Sequence, residues 1–186
     1  ASLGEGVEGL TAGQQATASI VVSCGTCRAC LTGREHLCSR CELVGYGMDG
    51  GLAPWLRVPA RAVRRGNIIS VAAEMPATRL ALAEPLSCVL NGHRRHSGVN
   101  PGETVVIIGG GAIGLLHTEL NLACGAGRVI VCEKHADRRD RAAAMGAVTT
   151  CPEHLSEVVA EHTGGYGAEL VIVAIGRNEL AEESLS

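Results

Sequence analysis

Thr104-Val105-Val106-Ile107-Ile108-Gly109-Gly110-Gly111-Ala112-Ile113-Gly114 decides the fold of this 186-residue chain. Its first five residues are a nearly unbroken aliphatic run closed by glycine, the pattern of a parallel strand buried on both faces. The run passes directly into Gly-x-Gly-x-x-Gly and then into a helical pattern, Ile113–Cys124, that stops at Gly125. A glycine turn of this kind is a weak signal alone and a strong one between a strand and a helix. Gly109 permits the tight turn, Gly111 lets the backbone approach a pyrophosphate, and Gly114 lets the helix pack close to the strand. The helix N-terminus then offers unpaired N–H groups and a partial positive charge to a phosphate.

Working outward toward the C-terminus, the alternation continues. Val129–Glu133 reads as the next strand, and Asp137–Met145 as a helix ended by Gly146. A short strand follows, then a helix from Pro152 to Thr163, then a strand over Leu170–Ala174. Strands alternating with helices in this way predict an α/β fold with a doubly wound parallel sheet. The sequence stops at Ser186, inside what would be the second half of such a sheet. Glu133 lies nineteen residues past Gly114, where a carboxylate can accept hydrogen bonds from both ribose hydroxyls and repels a 2′-phosphate. NAD is therefore expected over NADP, with Lys134, Arg138 and Arg139 near enough to keep NADP as the alternative.

Working outward toward the N-terminus, Asn100-Pro101-Gly102 is a turn, and residues 77–97 read as helix with Pro85 as a kink or break. Residues 1–60 read as short strands, Ile20–Val22, Leu43–Tyr46 and Leu56–Pro59, with turns at Gly25, Gly47 and Gly50-Gly51. The expected organisation is a β-rich segment 1–76, connecting helices 77–100 and a nucleotide-binding segment 101–186. Within the first segment stand Cys24, Cys27 and Cys30, followed by Cys38. Cysteines three apart in a tight loop can aim their sulfurs at one centre, and a fourth closes a tetrahedron, as in an all-thiolate structural zinc site. Gly25 and Gly33 relieve the bend. An iron–sulfur cluster fits less well, because its fourth cysteine follows more closely and precedes Pro, whereas Cys38 precedes Ser39. Cys41 reads as a bystander, and Cys88, Cys124, Cys132 and Cys151 as small core residues.

Composition narrows the function. The formal charge of −3, with no Phe, one Trp and two Tyr, argues against nucleic-acid and anionic-membrane partners. No apolar run reaches the roughly 18 residues of a membrane span, and no signal peptide is visible, so a cytoplasmic location is expected. Nine cysteines in a long aliphatic chain suggest metal ligands more than a disulfide scaffold. The pairs Arg64-Arg65 and Arg94-Arg95 read as solvated faces.

With both motifs placed, the chain resembles the zinc-containing medium-chain dehydrogenase/reductase family, in its sorbitol, threonine and butanediol dehydrogenase branch. Residues 24–38 match that family's CGxCxxCxxGxxxxC lobe, Gly50-Gly51-Leu52-Ala53 its Gly-Gly-x-Ala segment, and Glu84-Pro85-Leu86 its EPL. Thr163-Gly164-Gly165-Tyr166-Gly167-Ala168 is similar to its TGGxGAD. The resemblance implies a partial GroES-like catalytic domain carrying the zinc lobe, then an incomplete Rossmann domain. It implies hydride transfer between an alcohol or polyol and NAD, with a catalytic zinc as Lewis acid and Glu84 at or beside that metal. It also puts Ile113, Glu133 and Arg138 in contact with NAD, and implies a homo-oligomer when full length. The family's first two catalytic-zinc ligands, a cysteine and a Gly-His-Glu histidine, are not in this sequence, and Gly13-Gln14-Gln15 replaces its usual Gly-Asp-Arg. The chain thus reads as a piece lacking both ends, unable by itself to oxidise an alcohol. The competing readings are a zinc- and nucleotide-binding module without catalysis, and an NADP-dependent reductase of the same superfamily, which generally lacks the four-cysteine lobe.

Overall fold

The computed structural model describes residues 2–176. The end of the expected nucleotide-binding segment, 177–186, including Ser186, lies outside the described residues. Two compact units divide the chain, Ala1–Glu84 and Pro85–Ser186.

The first unit is assembled from very short elements. Strand β1 (Ala16–Ala18) pairs antiparallel with a strand more than fifty residues later, and β2 (Val21–Val22) enters the cysteine loop. That loop holds α1 (Arg28–Leu31) and a 3₁₀ turn (Glu35–Leu37), and it leaves through β3 (Glu42–Leu43), which pairs antiparallel with β2. After a long irregular stretch come α2 (Ala60–Arg64), then β4 (Ile68–Ser70), the partner of β1, and α3 (Ala77–Leu80). Asn67, buried just before β4, donates from Nδ2 to the Val21 carbonyl at 2.7 Å and accepts at its own carbonyl from the Ser19 N–H at 2.9 Å. One residue, through its side chain and its backbone carbonyl, thereby serves backbone groups beside the neighbouring two- and three-residue strands.

Two expectations for this unit need correction. Leu56–Pro59 is not a strand; Pro59 instead occupies the N-cap of α2, and Trp55 stands 79 % exposed beside it. Pro54 and Pro59 lack the N–H that a ladder needs, and no strand among the described residues lies along that stretch. The strand expected over Leu43–Tyr46 ends at Leu43, because Gly45 turns the chain at φ +90° and the Tyr46 and Gly47 N–H groups both return to the Leu43 carbonyl.

The second unit follows the α/β expectation closely. Helix α4 (Ala83–Arg95) carries Pro85 as its third residue, where the missing N–H has no helical acceptor to lose, so the break falls before Pro85, between α3 and α4. Cys88 faces solvent on α4 rather than packing in a core, while the adjacent Val89 is buried. Asn100-Pro101-Gly102 turns as expected, with Gly102 at φ +93° and the Glu103 N–H bonded to the Asn100 carbonyl.

Then come β5 (Thr104–Ile108), α5 (Ala112–Ala123), β6 (Arg128–Cys132) and α6 (Ala136–Ala144). They are followed by β7 (Val148–Thr150), a 3₁₀ turn (Pro152–His154), α7 (Leu155–Thr163) and β8 (Leu170–Val173). All pairings in the sheet are parallel, in the order β7-β6-β5-β8. The chain moves outward from β5 to β7 and then returns to the other side of β5, so the order reverses between β5 and β8. Ligands of open α/β sheets bind outside the carboxyl ends of the strands at such a reversal. Both faces of the central strands are covered. Val105, Ile107, Val129 and Val131 point to one side, Val106 and Ile130 to the other, and none is more than 3 % exposed.

Candidate functional site

Local backbone geometry gathers the four cysteines. Cys27 occupies the N-cap of α1 in an extended conformation, and Cys30 lies one turn later, buried inside the helix. Gly33 then reverses the chain at φ +69°, and the Gly33 and Arg34 N–H groups satisfy the Cys30 and Ala29 carbonyls at the helix end. The 3₁₀ turn returns Cys38 to the others, its N–H bonded to the Glu35 carbonyl. Gly25 turns the chain at φ +79°, a left-handed conformation that favours glycine, with the Arg65 guanidinium close by.

As a result the sulfurs of Cys24, Cys27, Cys30 and Cys38 all lie within 4.8 Å of one another. Cys24 and Cys30 are 3.9 Å apart, and Cys27 and Cys30 3.5 Å, too far for disulfides. A tetrahedral zinc with four thiolates has sulfur–sulfur edges of about 3.8 Å. This donor set fits that ion. The Thr26 N–H, then the Thr26 hydroxyl, hold the Cys24 thiol down to about 5. Burial pushes Cys30 up, but the Gly25 N–H and neighbouring groups outweigh it and lower the thiol. Cys27 is raised: the Cys30 N–H pulls its thiol down, and the sulfurs of Cys30, Cys24 and Cys38, with burial, overcome that pull. Two thiols lowered by neighbouring N–H groups, beside a third raised by the sulfurs around it, form a crowded cluster whose negative charge a dication would offset.

Cys41 stands outside the group and directs its thiol to the Glu42 carbonyl; burial, then the charge of Cys38, raises its pKa. Arg65 corrects the expectation of a solvated arginine pair, since it forms an ion pair with Glu35 beside the cysteine loop.

At the glycine turn, Gly109 has φ +108°, and its N–H bonds to the Cys132 carbonyl at 2.8 Å. A Cβ on Gly109 would collide with Cγ2 of Ile175, and one on Gly114 would overlap the Gly109 carbonyl oxygen. At Gly111 a Cβ would meet nothing within 4 Å. Gly111 is the N-cap of α5, and no side chain caps the helix. Ile113, in the first turn, is 41 % exposed.

Glu133 follows the last residue of β6 and is 6 % exposed. One carboxylate oxygen accepts the Gly110 N–H at 2.9 Å and the other the His135 N–H at 2.9 Å. Arg138 adds an ion pair at 3.7 Å. Burial pushes this carboxyl up, but the His135 and Gly110 N–H groups and then Arg138 outweigh it and hold its pKa below the ordinary value. A charged carboxylate is thus fixed beside the uncapped helix N-terminus.

Two contributors, Gly110 and Arg40, gave no signal in the sequence, and Arg139, weighed there only for a 2′-phosphate, makes a different contact. Gly110, the x of the motif, supplies the N–H that Glu133 accepts, and a Cβ there would press at 3.1 Å on the Glu133 side chain. Arg139 donates from Nη1 to the Glu133 and Lys134 carbonyls at 2.7 and 2.8 Å. Arg40 reaches the cysteine cluster. Glu84 lies exposed in the first turn of α4, and among the described residues the four cysteines are the one group of three or more ligating side chains close enough to share a metal.

Residues 1–70 match the alcohol dehydrogenase GroES-like domain, and residues 112–186 match the zinc-binding dehydrogenase domain. The chain belongs to the zinc-containing medium-chain dehydrogenase family. An L-threonine 3-dehydrogenase of Bacillus licheniformis is 33 % identical over 98 % of this chain and 52 % of its own length. The solved alcohol dehydrogenase TADH of Thermus sp. ATN1 superimposes with a TM-score of 0.87 at 28 % identity, over 99 % of this chain and 54 % of that one. A zinc-binding dehydrogenase of Sinorhizobium meliloti 1021, solved bound to NADP, has a TM-score of 0.84 at 33 % identity, over 97 % and 52 %. The chain therefore spans about half the length of the curated relatives it matches. The GroES-like and Rossmann-type architecture that the resemblance implied is that of the family, whose members are zinc-dependent dehydrogenases using NAD(P). Among the described residues no helix is long and apolar enough to cross a membrane.

Proposed function

We propose that this chain supplies the structural-zinc lobe and the first half of the nucleotide-binding sheet of an NAD-linked dehydrogenase acting on a small alcohol or polyol. The observation that carries this reading is the meeting of four sulfurs within 4.8 Å of one another, in a chain that also fixes a carboxylate against a glycine turn. Cys24, Cys27, Cys30 and Cys38 would hold a zinc that braces the loop, since four thiolates leave no open position for a substrate. Gly109, Gly111 and Gly114 shape the pyrophosphate cradle, Ile113 lies against the nucleotide, and Glu133, steadied by Arg138, receives the ribose hydroxyls. Glu84 is assigned to the neighbourhood of the catalytic metal, directly or through water. In the whole protein a bound nicotinamide would supply a hydride acceptor, and a catalytic zinc would supply Lewis acidity at the substrate oxygen. The whole protein is expected to be cytoplasmic and homo-oligomeric.

NADP is the second reading, favoured by the likeness to the NADP-bound Sinorhizobium protein and by Arg138 beside Glu133. Elemental analysis together with titration by NADH and NADPH tests both. About one zinc per chain and tighter binding of NADH support the first reading. Tighter NADPH binding selects the second, and iron with visible absorbance removes the zinc assignment.

A further inference from the structure

A closed four-thiolate zinc site carries a formal charge of −2, and the groups around it decide how firmly it keeps its metal. Two arginines approach this one. Arg65 is already matched by Glu35. Arg40, two residues past the last ligand, donates from Nη2 to the Cys24 sulfur at 3.3 Å and to the Thr26 hydroxyl at 2.8 Å. Thr26 in turn gives its backbone N–H to the same sulfur at 3.5 Å. No salt bridge among the described residues joins Arg40 to a carboxylate. Cys24 is half-buried, so its sulfur is the ligand that such an outer partner can shield from water and from competing protons.

We propose that Arg40 is a positioning residue of the metal centre: its guanidinium pins the Cys24 sulfur and Thr26 together, offsets the charge of the thiolate cage and slows loss of zinc. This rests on the reading of the four cysteines as a zinc site. The spacing of the cysteines does not imply it, because the contact comes from a side chain outside the ligand motif that folds back over sixteen residues.

The test uses the 186-residue chain purified with its metal. Zinc release to a chromogenic chelator is followed for wild type, Arg40→Ala and Arg40→Lys. Outer-shell partners of metal ligands typically change affinity 10- to 100-fold, and exposure of Arg40 puts it at the lower end. Arg40→Ala is expected to release zinc about 10-fold faster, and Arg40→Lys, which keeps the charge but loses the planar fork, to fall between. In cobalt-substituted protein the thiolate-to-metal absorption of Arg40→Ala should shift from wild type, a change that altered folding elsewhere would not produce. Equal release rates for all three proteins, with unshifted cobalt spectra, would overturn the role of Arg40 and leave the zinc site standing. A wild-type protein that purifies without zinc would overturn both.

Discussion

In the Ala1–Glu84 unit the buried apolar side chains among the described residues are Val22, Cys30, Cys38 and Ala62, and two of those four are the proposed metal ligands. In the Pro85–Ser186 unit, β5 and β6 alone bury six aliphatic side chains. The first unit has strands of two or three residues and little apolar area to remove from water; the second has a sheet covered on both faces. A small unit with a thin core needs a cross-link, and the proposed four-thiolate metal would supply one. The sheet needs none, because its strands bury their own surface. On that proposal, metal and hydrocarbon would do the same structural task in two parts of one chain.

The strongest test of this contrast is removal of the metal. A high-affinity chelator should open the loop between β2 and β3 to trypsin at Arg28, Arg34 and Arg40 while the sheet stays protected; binding free energies of structural zinc are on the order of 10 kcal/mol. Equal protection with and without metal would break the comparison. Next in size is Gly114→Ala. Its methyl group would overlap the Gly109 carbonyl, and overpacking of this kind costs about 3 kcal/mol in urea unfolding of the sheet unit. Zinc content should not change, and a fall in zinc would show that the two units are not independent.

Glu133→Gln keeps the shape and removes the charge. It should weaken NADH binding about 10-fold, equivalent to roughly 1.4 kcal/mol, and narrow the preference over NADPH, with the metal unaffected. Unchanged affinity for both nucleotides would remove Glu133 from the site. The smallest effect is on pH. Burial, and then the charge of nearby histidines, hold His93 and His117 below the ordinary value of 6.5. The unfolded chain therefore takes up protons at higher pH than the folded one. The stability these histidines contribute is complete above pH 6.5 and is lost as pH falls toward their folded values. A shallow decline in the melting temperature of the sheet unit below that pH, reduced in His117→Gln, is the expected result.

Much of this was legible in the sequence where the determinants are local. β5 occupies Thr104–Ile108 as expected, because an aliphatic run closed by glycine has few alternatives. The cysteines gather as their spacing implies, since a helix turn and a reversal at Gly33 suffice to converge them. Legibility fails where a partner is remote. β1 exists because Ala16–Ala18 finds Ile68–Ser70, and nothing in Ala-Thr-Ala announces it. Leu56–Pro59 has the composition of a strand and finds no partner. The reach of Arg40, Arg139 and the Gly110 N–H depends on loop geometry, which periodicity does not encode.

The carboxylate of Glu133 is tethered at both oxygens before any nucleotide arrives, one tether to the neighbouring turn and one to its own loop. Preorganisation of this kind lowers the ordering entropy of binding, because the acceptor is aimed in advance and each oxygen keeps a lone pair for an incoming hydroxyl. An encounter at this rim would shed water without remoulding the loop, so association should run in a single kinetic phase limited by diffusion and orientation.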